Sequence, residues 1–364
     1  MKNLLRLSAG ALVMLMVGSV AYGQEGSTRA EFECLALANS SRVAAAGEKS
    51  PFQSFHHVWT PGLGYGEFQS NGLKLTYEMQ GIGDEVVIVV HGGAGLPHEY
   101  FHPMLYNLSR YAKLVFFDRR ADMLSTGSNQ RMASVDELAD DVDALRKTLG
   151  FERVTLLAHS FGVTIALNYA LRHPDNVKRL ILVSAGPVIE NPYEGEKRIL
   201  SKLSKTEMAV YKSSEGGTGA TNPCERVRSR YAVLYPHYFH KLIPYEFDRG
   251  VYTVYFDALS RKEALSSDSQ SVDMKRRLQD IKVPTLVVAG KYDLVTPPDQ
   301  SSELASGLPL SRLVVMEHSG HFPFFEENYM FTEWVRQFML ATVGMEDDRT
   351  TRGPVVVSST GGSR

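Results

Sequence analysis

Two hydrophobic periods alternate along the chain and set its architecture. Short, continuous apolar runs at residues 85–90 (EVVIVV), 113–118 (KLVFFD), 153–160 (RVTLLAHS) and 177–185 (VKRLILVSA) are too short for helices and rich in β-branched or aromatic residues, so each predicts a buried strand. Between them apolar residues recur three and four apart. The clearest such stretch runs from Val135 through Leu138, Val142 and Leu145 to Leu149, with Ser134 and Glu137 spaced as a capping box at its start and Gly150 closing it. Helices are also expected over 98–112, over 162–173 ahead of Pro174, from near Pro298, and over 330–344. The strand rhythm resumes at 283–290 (VPTLVVAG) and 311–318 (SRLVVMEH). Apolar strands alternating with helices predict an α/β fold whose mostly parallel central sheet is covered on both faces. Upstream, residues 66–91 alternate apolar and polar around Asn71-Gly72, a pair suited to a tight turn at positive φ, which predicts a hairpin leading into the first buried strand.

Strand runs vanish between 186 and 280, where the chain is helical in tendency and rich in Tyr and His, as in YAVLYPHYFHKLIPYEF. This segment predicts a helical cap inserted between two parts of one core, 66–185 and 281–344. Residues 24–65 form a polar N-terminal extension with one expected helix, and 345–364 are polar and Gly/Ser-rich, so the tail is expected to lack regular structure. The opening residues combine a basic start (Lys2, Arg6), an apolar stretch, and small residues at Ala21 and Gly23, the pattern of a signal peptide spanning 1–23. The apolar stretch is shorter than the about 20 residues of a spanning helix, so no stable membrane anchor is expected. Export to a secreted or periplasmic location follows. There the two cysteines, Cys34 and Cys224, either bridge or stand as unrelated thiols; spacing alone does not decide.

Charge narrows the function classes. With 39 basic and 41 acidic residues in 364 and no long basic block, the chain lacks the electrostatic footprint of a nucleic-acid binder. A small molecule or short peptide is the expected substrate, and the oligomeric state is left open. The chemistry concentrates where LLAHSFGV joins a buried strand to a helix with only Ser160 and Phe161 between them. Such a turn strains its central residue and lifts the side chain above the sheet edge, and the small residues Ala158 and Gly162 relieve the crowding. The competing reading of Ser160 is a helix N-cap. A serine nucleophile needs a base, and the base needs a group that fixes its tautomer. Asp293 lies beyond the strand of VPTLVVAGKYD and His321 beyond that of RLVVMEHSGH, at the carboxyl edge where open α/β sheets build their sites. Singly, Asp293 also reads as a turn initiator and His321 as a structural histidine. His318 competes with His321 as the base; Ser319-Gly320 places the latter in the loop above the sheet, while His318 is expected to end the strand. The glycine turn of HGGAG supplies Gly93 N–H as an oxyanion donor, paired with Phe161 N–H. A phosphate-binding glycine loop is the alternative reading of that turn, but neither G-x-G-x-x-G nor a P-loop pattern is present. No metal or cofactor is called for.

Together HGGAG, FDRRADMLSTG, AHSFGV, GKYDLVTPP and HSGHFPFFEE resemble the α/β-hydrolase superfamily and, within it, the proline iminopeptidase-like serine peptidases, over about residues 65–343. The resemblance implies Ser160 as nucleophile, Asp293 as orienter, His321 as base, Gly93 and Phe161 as oxyanion donors, and a helical cap over the pocket. It also implies that cap carboxylates hold the substrate's free amino group, with Glu194, Glu196, Glu207, Glu215, Glu225 and Glu246 in the right region and no motif choosing among them; for most of them a solvated helix face is the competing reading. Departures from the family are Ala94 for a Pro, Ala158 for a Gly, and Arg120 to Ser125 (RADMLS) for an R-G-x-G-x-S segment, the last altering a loop near the pocket mouth. Arg119 and Arg120 are expected to brace loops, and Tyr235, Tyr238, Phe239, Tyr245 and Phe247 chiefly to pack the cap. The expected function is an exported serine hydrolase cleaving an amide or ester through an acyl-enzyme, first an aminopeptidase, alternatively a carboxylesterase or a non-catalytic hydrolase-like ligand-binding protein.

Overall fold

The computed structural model describes residues 64–92, 98–101, 104–120, 133–187, 192–215, 229–230, 232–241, 274–342 and 355–358. The signal peptide, most of the N-terminal extension, Cys34, Cys224, Gly93, Ala94, Tyr245 and Phe247 lie outside them. Among the described residues nine strands form one sheet: β1 (Gly64–Ser70), β2 (Leu73–Gln80), β3 (Val86–Val90), β4 (Lys113–Phe117), β5 (Val154–His159), β6 (Val177–Val183), β7 (Thr285–Gly290), β8 (Ser311–Met316) and β9 (Val355–Ser358). Their order is β1-β2-β4-β3-β5-β6-β7-β8-β9. β2 runs antiparallel to β1 and β4, and every later pairing is parallel. Asn71 and Gly72, at φ of 46° and 78°, turn β1 into β2 as their sequence predicts.

Both faces of the central strands are buried, which explains their uninterrupted apolar runs. Alternate residues of β3 enter opposite cores. Val87 and Val89 join Phe331, Val335 and Phe338 of α6 (Asn328–Ala341) and the cap residues Ile199, Tyr211, Leu234 and Phe239. On the other side, Val86, Ile88 and Val90 pack with α1 (Val135–Thr148), α2 (Phe161–Arg172) and α5 (Pro298–Gly307). Fully burying such a side chain contributes about 1.5–3 kcal/mol, so the two layers together dominate the stability. The capping box is formed: Glu137 N–H donates to Ser134 Oγ at 3.2 Å and Ser134 N–H to Glu137 Oε2 at 2.9 Å.

Within 186–280 the described residues include α3 (Pro192–Leu200), α4 (Lys205–Glu215) and short 3-10 turns at Tyr235–Tyr238 and Leu278–Asp280. Tyr235, Phe239 and the neighbouring Leu234 sit in the α6-side core, so this part of the cap is seated on the sheet's covering layer. The tail departs from expectation. Its residues 355–358 form β9, parallel to β8 with Leu313 opposite Val356 and Val314 opposite Val357. Three consecutive valines have strong strand preference, and the otherwise open edge of β8 supplies the partner; the surrounding Gly and Ser mask this in a reading by composition.

Candidate active site

The site begins at the end of β5. Ser160 takes φ 52° and ψ −124° between a fully buried strand and the first turn of α2, a backbone region that costs a non-glycine residue on the order of 1–3 kcal/mol. Two bonds hold it there: Ser160 N–H donates to Val183 O and Val163 N–H to Ser160 O, each at 2.9 Å. Ser160 Oγ makes no capping hydrogen bond to α2, which removes the helix-cap reading. Gly162 is obligatory here, because a Cβ would lie 2.4 Å from Val90 O and 2.6 Å from His91 O. Ala158, by contrast, is a buried β5 residue between Val90 and Leu182, and its methyl group is absorbed in the core.

Asp293 and His321 meet across the turns after β7 and β8. His321 Nδ1 lies 2.8 Å from Asp293 Oδ2, and each residue is 3% exposed. Asp293 Oδ1 accepts from the amides of Val295 at 2.8 Å and Thr296 at 2.9 Å, so this carboxylate initiates the turn and faces the histidine at once. A carboxylate accepts only, so Nδ1 carries a proton, and in the neutral ring Nε2 then presents a lone pair. Among the described residues no hydrogen bond joins Ser160 Oγ to His321; catalytic bonds of this kind are often long until the reacting complex forms. The imidazoles of His159 and His321 are 4.8 Å apart between centroids, which puts His321 beside the residue preceding Ser160.

β8 ends at Met316, two residues before the expected end, so His318 belongs to the turn and not the strand. It is exposed, with its N–H donating to Glu327 Oε2 at 2.8 Å. Phe161 is the first residue of α2, where helical N–H groups have no intrahelical acceptor. Arg119 lies over the Phe161 ring, 5.4 Å from its centroid, and so reaches the site edge instead of only bracing a loop. Arg120 does brace: its Nε donates to Asp141 Oδ2 of α1 at 2.9 Å in the buried interior.

Three of the cap carboxylates are engaged within the cap. Glu196 takes a bidentate bond from Arg230 (2.5 and 2.7 Å) and one from the Tyr211 hydroxyl. Glu207 accepts from Ser204 N–H at 2.7 Å and lies 3.1 Å from His237 Nε2, while Glu194 pairs with Lys197 at 2.5 Å. Glu225 and Glu246 lie outside the described residues, as does the side chain of Glu215. Among the described residues no group of three or more His, Cys, Asp or Glu is placed to hold a metal ion.

Sequence reasoning missed three residues here. Two are Tyr100 and His159, whose side chains meet at 2.8 Å. The third is Glu326, whose Oε1 accepts from His240 N–H and Oε2 from Gly320 N–H, both at 2.6 Å, tying the cap to the loop that carries His321. His321 N–H itself donates to Tyr238 O at 2.6 Å. Burial pushes the Glu326 pKa up from its ordinary 4.5 to about 6, against the lowering effect of the Gly320, His240 and Lys241 amides. The folded chain thus keeps a proton that the unfolded chain has already released, and the stabilisation it brings, complete below about 4.5, is lost as pH rises to about 6. Thermal melts are expected to show the parent losing Tm relative to Glu326→Gln across that window; parallel curves for the two proteins would refute it.

The residues from 85 to 328 match the family model of the alpha/beta hydrolase fold, and the chain belongs to that family. It is similar to a proline iminopeptidase of Saccharolobus solfataricus, 25% identical over 287 residues that cover 74% of this chain and 89% of the relative. Among solved structures it resembles the meta-cleavage product hydrolase CumD of Pseudomonas fluorescens IP01, with a TM-score of 0.60 and 18% identity over 77% of this chain and 98% of that one, a likeness of fold alone. It also resembles Est816, described as an N-acyl homoserine lactone degrading enzyme, with a TM-score of 0.53 and 26% identity over 75% of this chain and all of that one.

Proposed function

We propose that the chain is an exported serine hydrolase that cleaves an amide or ester bond through an acyl-enzyme, and that it acts first as an aminopeptidase of the proline iminopeptidase type. The observation that carries this reading is the 2.8 Å contact of His321 Nδ1 with Asp293 Oδ2 beside the strained Ser160 turn. His321 Nε2 takes the Ser160 proton as Oγ attacks the carbonyl carbon. The oxygen that becomes negative accepts from Phe161 N–H and Gly93 N–H. Collapse breaks the scissile bond while His321 returns the proton to the leaving group. Water then attacks the acyl-enzyme with the same base, and Ser160 is regenerated.

The similarity to a proline iminopeptidase supports the aminopeptidase reading, and the pattern of residues 1–23 supports export. Carboxylester hydrolysis is the second reading, favoured by one observation: Glu194 and Glu196 already face the cations Lys197 and Arg230 inside the cap, so neither charge is left over for a substrate amine. Comparing an N-terminal prolyl amide, its N-acetylated analogue and a short-chain ester separates the two. The aminopeptidase reading predicts that only the free-amine amide turns over efficiently. Preference for the ester, with the acetylated amide no worse than the free one, would shift the assignment to the esterase.

A further inference from the structure

We infer that Tyr100 and His159 form a buried hydrogen-bonded chain that fixes the glycine turn, the nucleophile turn and the base relative to one another, making both of them positioning residues. The inference rests on the Ser160 reading above. Gly92 N–H donates to the Tyr100 hydroxyl at 2.8 Å, Tyr100 Oη lies 2.8 Å from His159 Nδ1, and His159 Nε2 lies 2.9 Å from the carbonyl oxygen of His321. Each junction falls on a catalytic element or its direct neighbour. Gly92 precedes Gly93, His159 precedes Ser160, and the far end is the main chain of the base itself.

The protons of this chain can be placed by elimination. A carbonyl only accepts, so His159 Nε2 carries a hydrogen and donates it to His321 O. His159 is 1% exposed, and burial, reinforced by the neighbouring His321 and His91, holds its pKa well below the ordinary histidine value, so the ring is neutral. Its Nδ1 is therefore an acceptor, and the Tyr100 hydroxyl spends its single proton there while receiving the Gly92 amide. The chain has one direction, from the glycine turn to the base. Two aromatic rings flank it: Phe322 and Phe324 lie 5.2 and 5.1 Å from the His159 ring centroid. A phenylalanine at 159 would suit that packing and lose only the hydrogen bonds.

The contact with His321 O acts on the base's backbone, and that peptide segment is clamped from the other side by the bond from His321 N–H to Tyr238 O. Releasing one clamp lets the imidazole drift along the line toward Ser160. A displacement near 1 Å costs up to about 100-fold in rate.

Steady-state kinetics of Tyr100→Phe, His159→Phe, the double variant and His159→Gln test this on the full chain, with circular dichroism as a folding check. Each single phenylalanine variant is expected to lose roughly 10- to 100-fold in kcat with KM near the parent's. The double variant is expected to lose no more than the worse single one, because either break severs the same chain. His159→Gln, which offers an acceptor and a donor at similar separation, is expected to recover most of the loss. Parental kcat in folded Tyr100→Phe, or losses that multiply in the double variant, would overturn the inference. Should His159→Phe fail to fold, Tyr100→Phe, which removes one oxygen, carries the test with His159→Gln. A fully active Ser160→Ala would instead overturn the underlying hydrolase reading, so the two failures are distinguishable.

Discussion

Ser160→Ala is expected to lower kcat by roughly 10⁴- to 10⁶-fold while leaving substrate binding and the fold near those of the parent. The size follows from what is removed. Water, the remaining nucleophile, is neither held at the carbonyl nor activated in the same geometry by His321. The structural cost is small because alanine meets the same backbone demand as serine at φ 52°, and Ser160 Oγ makes no capping bond that its loss would leave empty. The two main-chain bonds to Val183 and Val163 that hold the turn both survive the substitution. Kinetics at saturating substrate, with a melting curve as control, check this expectation, and turnover within tenfold of the parent would sink it.

Asp293→Asn is expected to cost about 10⁴-fold in kcat with little change in KM, the scale seen when an orienting carboxylate becomes an amide. The reason lies in the other oxygen. Val295 N–H and Thr296 N–H both point at Oδ1, at 2.8 and 2.9 Å, and will hold the carbonyl end of the new amide there. Its NH₂ group must then face His321 Nδ1 in place of the oxygen at 2.8 Å. Two N–H groups cannot face each other, so the imidazole moves its proton to Nε2 and presents no lone pair to Ser160. The turn is preserved, so stability should change far less than activity. Equal losses in Tm and in rate would mean that Asp293 serves the turn alone.

Sequence pattern carried much of the architecture because parallel strands buried on both faces leave long apolar words, and Asn71-Gly72 and Ser134 with Glu137 are local signals with local causes. The Ser160 turn is also local, a change of period with small residues on either side. Contacts between distant segments are different. His159 and the carbonyl of His321 are 162 positions apart, Glu326 bridges to His240 over 86, and nothing in periodicity or spacing links them. The strand of residues 355–358 is a milder case: its valines were legible, but their partner β8 lies about 40 positions upstream behind a polar stretch. His318 and the end of β8 show the usual looseness of boundaries, since an apolar run does not mark where its ladder stops.

The central claim is that Ser160, His321 and Asp293 act as one unit, and covalent labelling addresses it most directly. A fluorophosphonate probe followed by peptide mapping is predicted to modify Ser160 rapidly in the folded protein, slowly in His321→Ala, and not after heat denaturation. Labelling at another residue, or none in folded protein that still turns substrate over, would contradict the account; no labelling together with no turnover would instead mark a hydrolase-like binding protein.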